Sequence, residues 1–535
     1  DWAIYGPFSI DNDKQEMAIV QDGQKEALEH AGRTGGLPFV GVGWYRLAFE
    51  APEFESGKTA TLVFDGAMSH ARVYVNGQEA GYWPYGYNSF YFDVTPYLKP
   101  GGKNELGVRL ENDRESSRWY PGAGLYRNVH LVITEDAYVP TWGTYVTTPV
   151  VTDECAKVCV KTSWVTPKGA DKDNYRIVTE IKDGTGRVVA TGESRLSVYD
   201  KGMFEQEFAV AHPELWSPES PVLYTAESKV YEGNVQKDAY TTRFGIRTLE
   251  IVPDKGFFLN GKMTKFKGVC NHHDLGPLGG AVNMAAIRRQ IRIMKDMGCN
   301  AIRTSHNMPA PELVEACDEM GMMLMVESFD EWKAAKMANG YHKVFDEWAV
   351  KDLTHLVRHY RNNPSVVMWC IGNEVPDQWN GDNGPKLSRM LQDVCHREDP
   401  TRPVTQGMDA PDAVVNNNMA AVVGVAATCG KQAADVEKAM AQTRTLLTGT
   451  ADKLKGFATI VGRIKLCSVI KGSFVMSAAG FADIASCNSH NCDILSLFLC
   501  SFRISIVNFR QKEKNFLRHT PTAFYIFLHF SIISG

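Results

Sequence analysis

Four short stretches carry residues that could do chemistry. "CNHHD" ends with Asn271, His272, His273 and Asp274, and "RTSHN" presents Arg303, Ser305, His306 and Asn307. "VESFDEW" offers Glu327, Asp330 and Trp332, and "VVMWCIGNEVPDQW" breaks an apolar run at Asn373-Glu374. A carboxyl at the end of a buried strand, beside an amide and near Trp369 or Trp379, is placed to be partly desolvated. Desolvation favours the neutral acid, which suits a proton donor near neutral pH. The competing reading of Glu374 is a strand-end carboxylate capping the next helix. Histidines, amides, carboxylates and an aromatic surface together match a hydroxyl-rich ligand, which needs many donors and acceptors around one apolar face.

A metal centre is the rival chemistry. Neighbouring residues on a strand point to opposite faces, so His272 and His273 cannot readily share one ion. No C-x-x-C pair or His/Cys cluster with zinc spacing occurs. Neither a metal nor another cofactor is expected, and a metal-dependent barrel hydrolase is the lesser alternative.

These four stretches each terminate an apolar strand followed by a helical pattern. From residue 257, "MTKFKGVCNHH", "NAIRTSHN", "MLMVESFDEW", "VVMWCIGNE" and "RPVTQGM" alternate with "NMAAIRRQIRIMKDMG", "APELVEACDEMG", "DEWAVKDLTHLVRHYRN" and "PKLSRMLQDVCHRED". Strand–helix alternation with polar strand ends predicts a (β/α) barrel whose chemistry sits at the C-terminal ends of its strands. Five units are legible. Eight strands close such a barrel, so the pattern predicts an incomplete one. Upstream, "GWYRLAFEA", "TATLVFDG", "ARVYVNGQEAGYW" and "NELGVRLEN" predict a jelly-roll sandwich, with "YVNGQ" as a hairpin turn. "VCVKTSWV", "YRIVTEIKD", "GMFEQEFAV" and "LYTAESKVY" fit an immunoglobulin-like sandwich. The expected domains are therefore 1–137, 138–249 and a partial barrel at 250–422. Residues 423–535 form a tail with helical character in "KQAADVEKAMAQTRTLLTGT" and few charges thereafter.

Composition is that of a globular chain: 535 residues, 44% hydrophobic, 22% charged, net charge −5. The mild acidity argues against nucleic acid or an anionic membrane as partner. No stretch reaches the roughly 20 apolar residues of a membrane span. Cys155 and Cys159, if extended, stand roughly 13 Å apart at about 3.3 Å per residue, too far to bridge. The twelve cysteines leave the redox compartment open. "DWAIYGPFSI" shows no basic-then-apolar leader, which could have been removed or never included.

"LWSPESPVLY", "FGIRTLEI", "FFLNGKMTKFKGVCNHHD", "NAIRTSHNMP" and "VVMWCIGNEVP" resemble the glycoside hydrolase family 2 enzymes, the β-galactosidase, β-glucuronidase and β-mannosidase group. "GVGWYRLAFE", "ARVYVNGQ" and "RWYPGAGLYRNV" resemble that family's sugar-binding jelly roll. The resemblance covers residues 1 to about 420. It implies a retaining exo-β-glycosidase, β-galactosidase first, with Glu374 as acid/base. By the same resemblance Asn373 and His306 match substrate-contacting positions, and His273, Asp274, Arg303, Asp330 and Trp332 fall where neighbouring subsite residues are expected. A carbohydrate is the implied partner, a homo-oligomer is left open, and a periplasmic or secreted setting is favoured. The family's nucleophile is a second Glu at the end of a later strand. Here the resemblance fades at "VVNNNMAAVVG", and Glu398, Glu437 and Glu513 all lie outside any such strand end. The tail reads as unrelated, as a frame change or a mis-joined reading would leave it. The expectation is a barrel lacking its nucleophile and impaired in turnover, with a non-catalytic carbohydrate-binding relic as the alternative. Glu327 and Asp330 are expected to hold the subsite through hydrogen bonds, not to replace the missing group.

Overall fold

In this computed structural model the described residues are Trp2, 17–19, 27–29, 41–54, 57–113, 115–195, 202–252, 255–417, 419, 473–476 and 526–529. Glu437, Glu513 and the helical stretch expected after residue 430 lie outside them. Two compact units divide the chain, residues 1–431 with 535, and 432–534. Of the second, Ser473–Met476 and Ile526–His529 form an antiparallel pair.

The jelly roll packs two antiparallel sheets face to face. One orders Gly41–Glu50, Lys103–Asn112, Ala71–Val75 and Gln78–Trp83; the other orders Phe90–Asp93, Thr59–Phe64 and Val129–Thr134. Lys103–Asn112 alternates between outward and buried residues along its length, because strand side chains project to opposite faces. The predicted hairpin turn sits at Asn76-Gly77, both with positive φ (51° and 80°), as the tight turn between twisted strands requires. The second sandwich sets Thr144–Val151, Cys155–Ser163 and Met203–Ala211 against Val188–Arg195, Tyr175–Lys182, Tyr224–Glu232 and Val235–Phe244. Cys155 and Cys159 lie four apart on one of these strands, and both are free.

The barrel domain contributes five parallel strands in sequence order: β1 (Gly268–Asn271), β2 (Ala301–Thr304), β3 (Met323–Glu327), β4 (Val366–Asn373) and β5 (Val404–Gly407). Helices α1 (Met284–Asp296), α2 (Pro311–Met320), α3 (Phe345–Tyr360) and α4 (Gly384–Glu398) connect them. All eight residues of β4 are buried, which is why it reads as a continuous apolar run. The helix ends follow local chemistry. Asn283 caps α1 by accepting from the Ala286 N–H at 3.0 Å. Pro311 opens α2 and Gly321, at φ 69°, closes it. Asp346 and Glu347 sit in the first turn of α3, with Arg358 in its last, each sign matching the helix dipole. No helix among the described residues is long and apolar enough to cross a membrane.

Buried polar groups dock the jelly roll onto the barrel. Arg127, 5% exposed, donates to the carbonyls of Tyr87 (2.7 Å), Met308 (2.9 Å) and Pro309 (3.1 Å). Trp83 and Asn88 each donate to Asp352 Oδ1 of α3 at 2.8 Å. The Arg127 bonds tie the end of the loop 115–127 to the segment that follows β2, and the Asp352 bonds tie Trp83 and Asn88 to α3. That placement decides the site.

Candidate active site

Glu374 follows the last residue of β4 and turns out of the strand at φ 45°, the left-handed region that a non-glycine residue adopts at a cost. Its N–H donates to the Gly407 carbonyl at 2.6 Å, so the end of β5 holds the turn. The side chain is 42% exposed. Neither Trp369 nor Trp379 roofs it as the sequence suggested. Trp369 lies in the core, its Nε1 donating to Asp399 at 2.9 Å, and Trp379 is 68% exposed.

Asn373 is fixed from both sides. Its Oδ1 accepts from Arg303 Nη2 at 2.9 Å and its Nδ2 donates to Asp330 Oδ1 at 2.9 Å. Arg303 in turn pairs through Nε with Glu327, which is wholly buried and also bonds His306 Nδ1 at 2.8 Å. Burial alone would raise Glu327. The charges and hydrogen bonds of Arg303 and His306 hold it below the ordinary carboxylate range. Gly407 packs directly on the Arg303 guanidinium and leaves no room for a Cβ.

Asp330 is the hub. Its Oδ1 accepts from Arg118 Nη2 (2.6 Å), Lys336 Nζ (3.0 Å) and Asn373, and its Oδ2 from Arg118 Nε (2.9 Å). Burial would raise this carboxyl too, but Arg118, Lys336 and Asn373 hold it well below the usual range. Lys336 also donates to the Asn373 carbonyl at 2.6 Å, and its burial lowers it.

Arg118 and Trp119 were not picked out by sequence reasoning, and the jelly roll delivers both. The Arg118 guanidinium lies 4.8 Å from the Trp119 ring, whose centroid is 4.6 Å from His272 and 5.4 Å from His306. The signals available were the resemblance carried by "RWYPGAGLYRNV" and the turn-rich "SSRWYPGAG", a loop carrying a cation and aromatics.

Of the expected site residues, Glu374, Asn373, Asp330, Arg303 and His306 come together in one bonded cluster. Three others are placed differently. His273 is wedged between jelly-roll rings, 5.2 Å from Tyr87 and 6.2 Å from Tyr126, and burial followed by the Arg127 charge brings it down to about 3. The histidine beside His306 is His272, lowered to about 4 by burial and by His306. β1 ends at Asn271, one residue short of the pair, and the packing on either side selects which one faces the cluster. Trp332 is completely buried, donates Nε1 to the Ile371 carbonyl at 2.7 Å and packs on Gly372. It braces β4 from behind and leaves no face for a sugar, correcting its expected role. Asp274, half-buried and raised by that burial, shares no hydrogen bond with the cluster among the described residues. No group of three or more His, Cys, Asp or Glu among the described residues is placed to hold a metal ion.

Comparison with known proteins agrees with this architecture. Residues 38–135 match the glycosyl hydrolases family 2 sugar binding domain, 138–247 match glycosyl hydrolases family 2, and 251–448 match its TIM barrel domain. The last match runs past the boundary of 422 expected from the sequence. A β-galactosidase of Bacteroides ovatus, BoGH2A, is 40% identical over 448 residues, covering 77% of this chain and 50% of that protein. A putative β-glucuronidase of Formosa agariphila is 36% identical over 382 residues, covering 71% and 35%. Among solved structures, a family 2 member from Bacteroides cellulosilyticus superposes with TM-score 0.71 at 34% identity, covering 78% of this chain and 53% of that one. A β-glycosidase from Bacteroides vulgatus gives 0.65 at 35%, covering 75% and 50%. The chain spans about half the length, or less, of the curated relatives named here. With three consecutive domains matching three models of one family, in order and on the fold each describes, the chain belongs to glycosyl hydrolases family 2.

Proposed function

We propose that this chain carries the proton-donor half of a retaining β-glycosidase site, of β-galactosidase type, and that its own turnover is impaired for want of a nucleophile. Glu374 is the acid/base. Protonated, it gives its proton to the glycosidic oxygen as the bond from that oxygen to the anomeric carbon breaks; ionised, it later takes a proton from the attacking water. Asn373, Arg303, His306 and Asp330 supply hydrogen bonds around the sugar, directly or through one another.

The observation that carries this reading is the placement of Glu374. It is a part-exposed carboxylate at the end of a buried barrel strand, its backbone pinned to β5 and its neighbour Asn373 fixed by two bonds. The retaining mechanism needs a second carboxylate about 5–5.5 Å away to attack the anomeric carbon. Glu327 is sealed from solvent and spent on Arg303 and His306. Asp330 already accepts four bonds. Glu398, 5% exposed, ends α4 in the grip of Arg358 (2.7 Å) and Arg397 (2.9 Å), where the chain turns back toward the start of β5. The similarity to a β-galactosidase at 40% identity favours a galactoside over a glucuronide.

Turnover of a nitrophenyl β-galactoside by this chain and by Glu374→Gln tests the proposal. Equal, near-background rates are expected. A rate well above the variant's refutes the impairment, and faster cleavage of the matching β-glucuronide refutes the choice of sugar.

A further inference from the structure

We infer that Arg118 of the jelly roll is a positioning residue for the acid/base, holding Glu374 in an ionic clamp that a cationic ligand must displace to pair with it. The inference rests on the reading of Glu374 just given. The guanidinium is committed unequally. Nε and Nη2 form a two-point bond to Asp330, at 2.9 and 2.6 Å, in the planar geometry that suits arginine and carboxylate. The same group reaches Glu374 Oε2 only at 3.5 Å from Nη1 and 3.4 Å from Nη2. Asp330 is therefore the anchor and Glu374 the loose end. Trp119 beneath the guanidinium fixes its plane, and Lys336 and Asn373 fix Asp330 from the far side.

The exposures agree with this division. The Arg118 side chain is 18% exposed and Asp330 19%, whereas Glu374 is 42% exposed and stands toward open solvent. Long charge-assisted contacts to a part-exposed carboxylate are weak and readily exchanged. A protonated sugar mimic competes with Arg118 for Glu374; an uncharged sugar does not. Because Arg118 arrives from a separate domain, the seating of the jelly roll sets how the acid/base is held.

The test compares a galacto-configured iminosugar, cationic when protonated, with an uncharged thiogalactoside, by isothermal titration. The proteins are the full chain, Arg118→Gln, Arg118→Lys, Glu374→Gln and the Arg118→Gln/Glu374→Gln double variant. Arg118→Gln should bind the cation up to about fivefold more tightly, the scale of one partly exposed ion pair, with little gain for the neutral sugar. Arg118→Lys should behave as the parent, and the gain should vanish when Glu374→Gln is also present. Equal weakening of both ligands in both backgrounds would overturn the clamp and leave Arg118 a purely structural residue. Should the parent bind neither sugar, the reading of Glu374 fails separately. The clamp is then judged by the thermal-melting cycle of the same variants, in which strict additivity overturns it and coupling supports it.

Discussion

Replacing Arg303 with methionine should destabilise the barrel through one buried charge, and in a pH-dependent way. The side chain of Glu327 has no solvent exposure, and that of Arg303 has 15%. Removing the guanidinium leaves the carboxylate with only His306 Nδ1, at 2.8 Å, and the neutral Cys370 thiol as side-chain partners. Breaking a buried pair from one side costs about 3–5 kcal/mol, a large share of the roughly 5–15 kcal/mol that holds a domain together. In the parent, Glu327 sits below its unfolded value, so its contribution is present above that value and fades as acid approaches the folded one. In Arg303→Met the burial that now dominates raises the folded value, so the native state takes up a proton before the unfolded chain does. The gap between parent and variant should then be widest near pH 8. It should narrow by up to about 1.4 kcal/mol per unit as pH falls below the new folded value. Urea unfolding followed by tryptophan fluorescence at pH 5, 6.5 and 8 measures the gap directly. Adding Glu327→Gln to Arg303→Met should recover much of the loss at pH 8. A gap that is the same at all three pH values, and untouched by Glu327→Gln, would refute the buried-charge account.

Two further predictions concern the scaffold. Asp352 is fully buried where Trp83, Asn88 and Tyr341 converge, and burial pushes it up to about 7 despite those three donors. A raised carboxyl binds its proton in the native state first, so stability should fall as pH rises from about 4 to about 7. The slope integrates to roughly 4 kcal/mol at most, and Asp352→Asn should flatten it in pH-dependent melting. Gly372→Ala should cost about 1–3 kcal/mol, because a Cβ there would stand 2.7 Å from Trp332 Nε1 inside a packed core; chemical denaturation reads the loss, and an unchanged midpoint would mean that the indole yields freely.

The barrel, its strand ends and the place of Glu374 were legible because they rest on local periodicity. Apolar runs of four to eight residues followed by helical spacing need no distant information to be read. Asn373-Glu374 declared itself by ending such a run. Orientation was another matter. A strand running through His272 and His273 would set them on opposite faces, but β1 stops at Asn271, and which of the two faces the cluster depends on where Tyr87 and Tyr126 come to rest. The family resemblance put Trp332 among the subsite residues, yet it packs wholly buried over Gly372 in the core.

By itself, the sequence determined the three domains in order, the strands that present polar ends and the carboxyl that ends the fourth of them. Only the tertiary structure decided what that carboxyl touches. Arg118 lies 256 residues away from Glu374 along the chain, in a loop whose own strands have no periodic relation to the barrel. Hydrophobic patterning reports which face of an element is buried, not which other domain will cover it. Arg118 meets Glu374 because the bonds of Arg127 and Asp352 hold the surfaces of two domains together. Docking of that kind leaves no trace in local spacing.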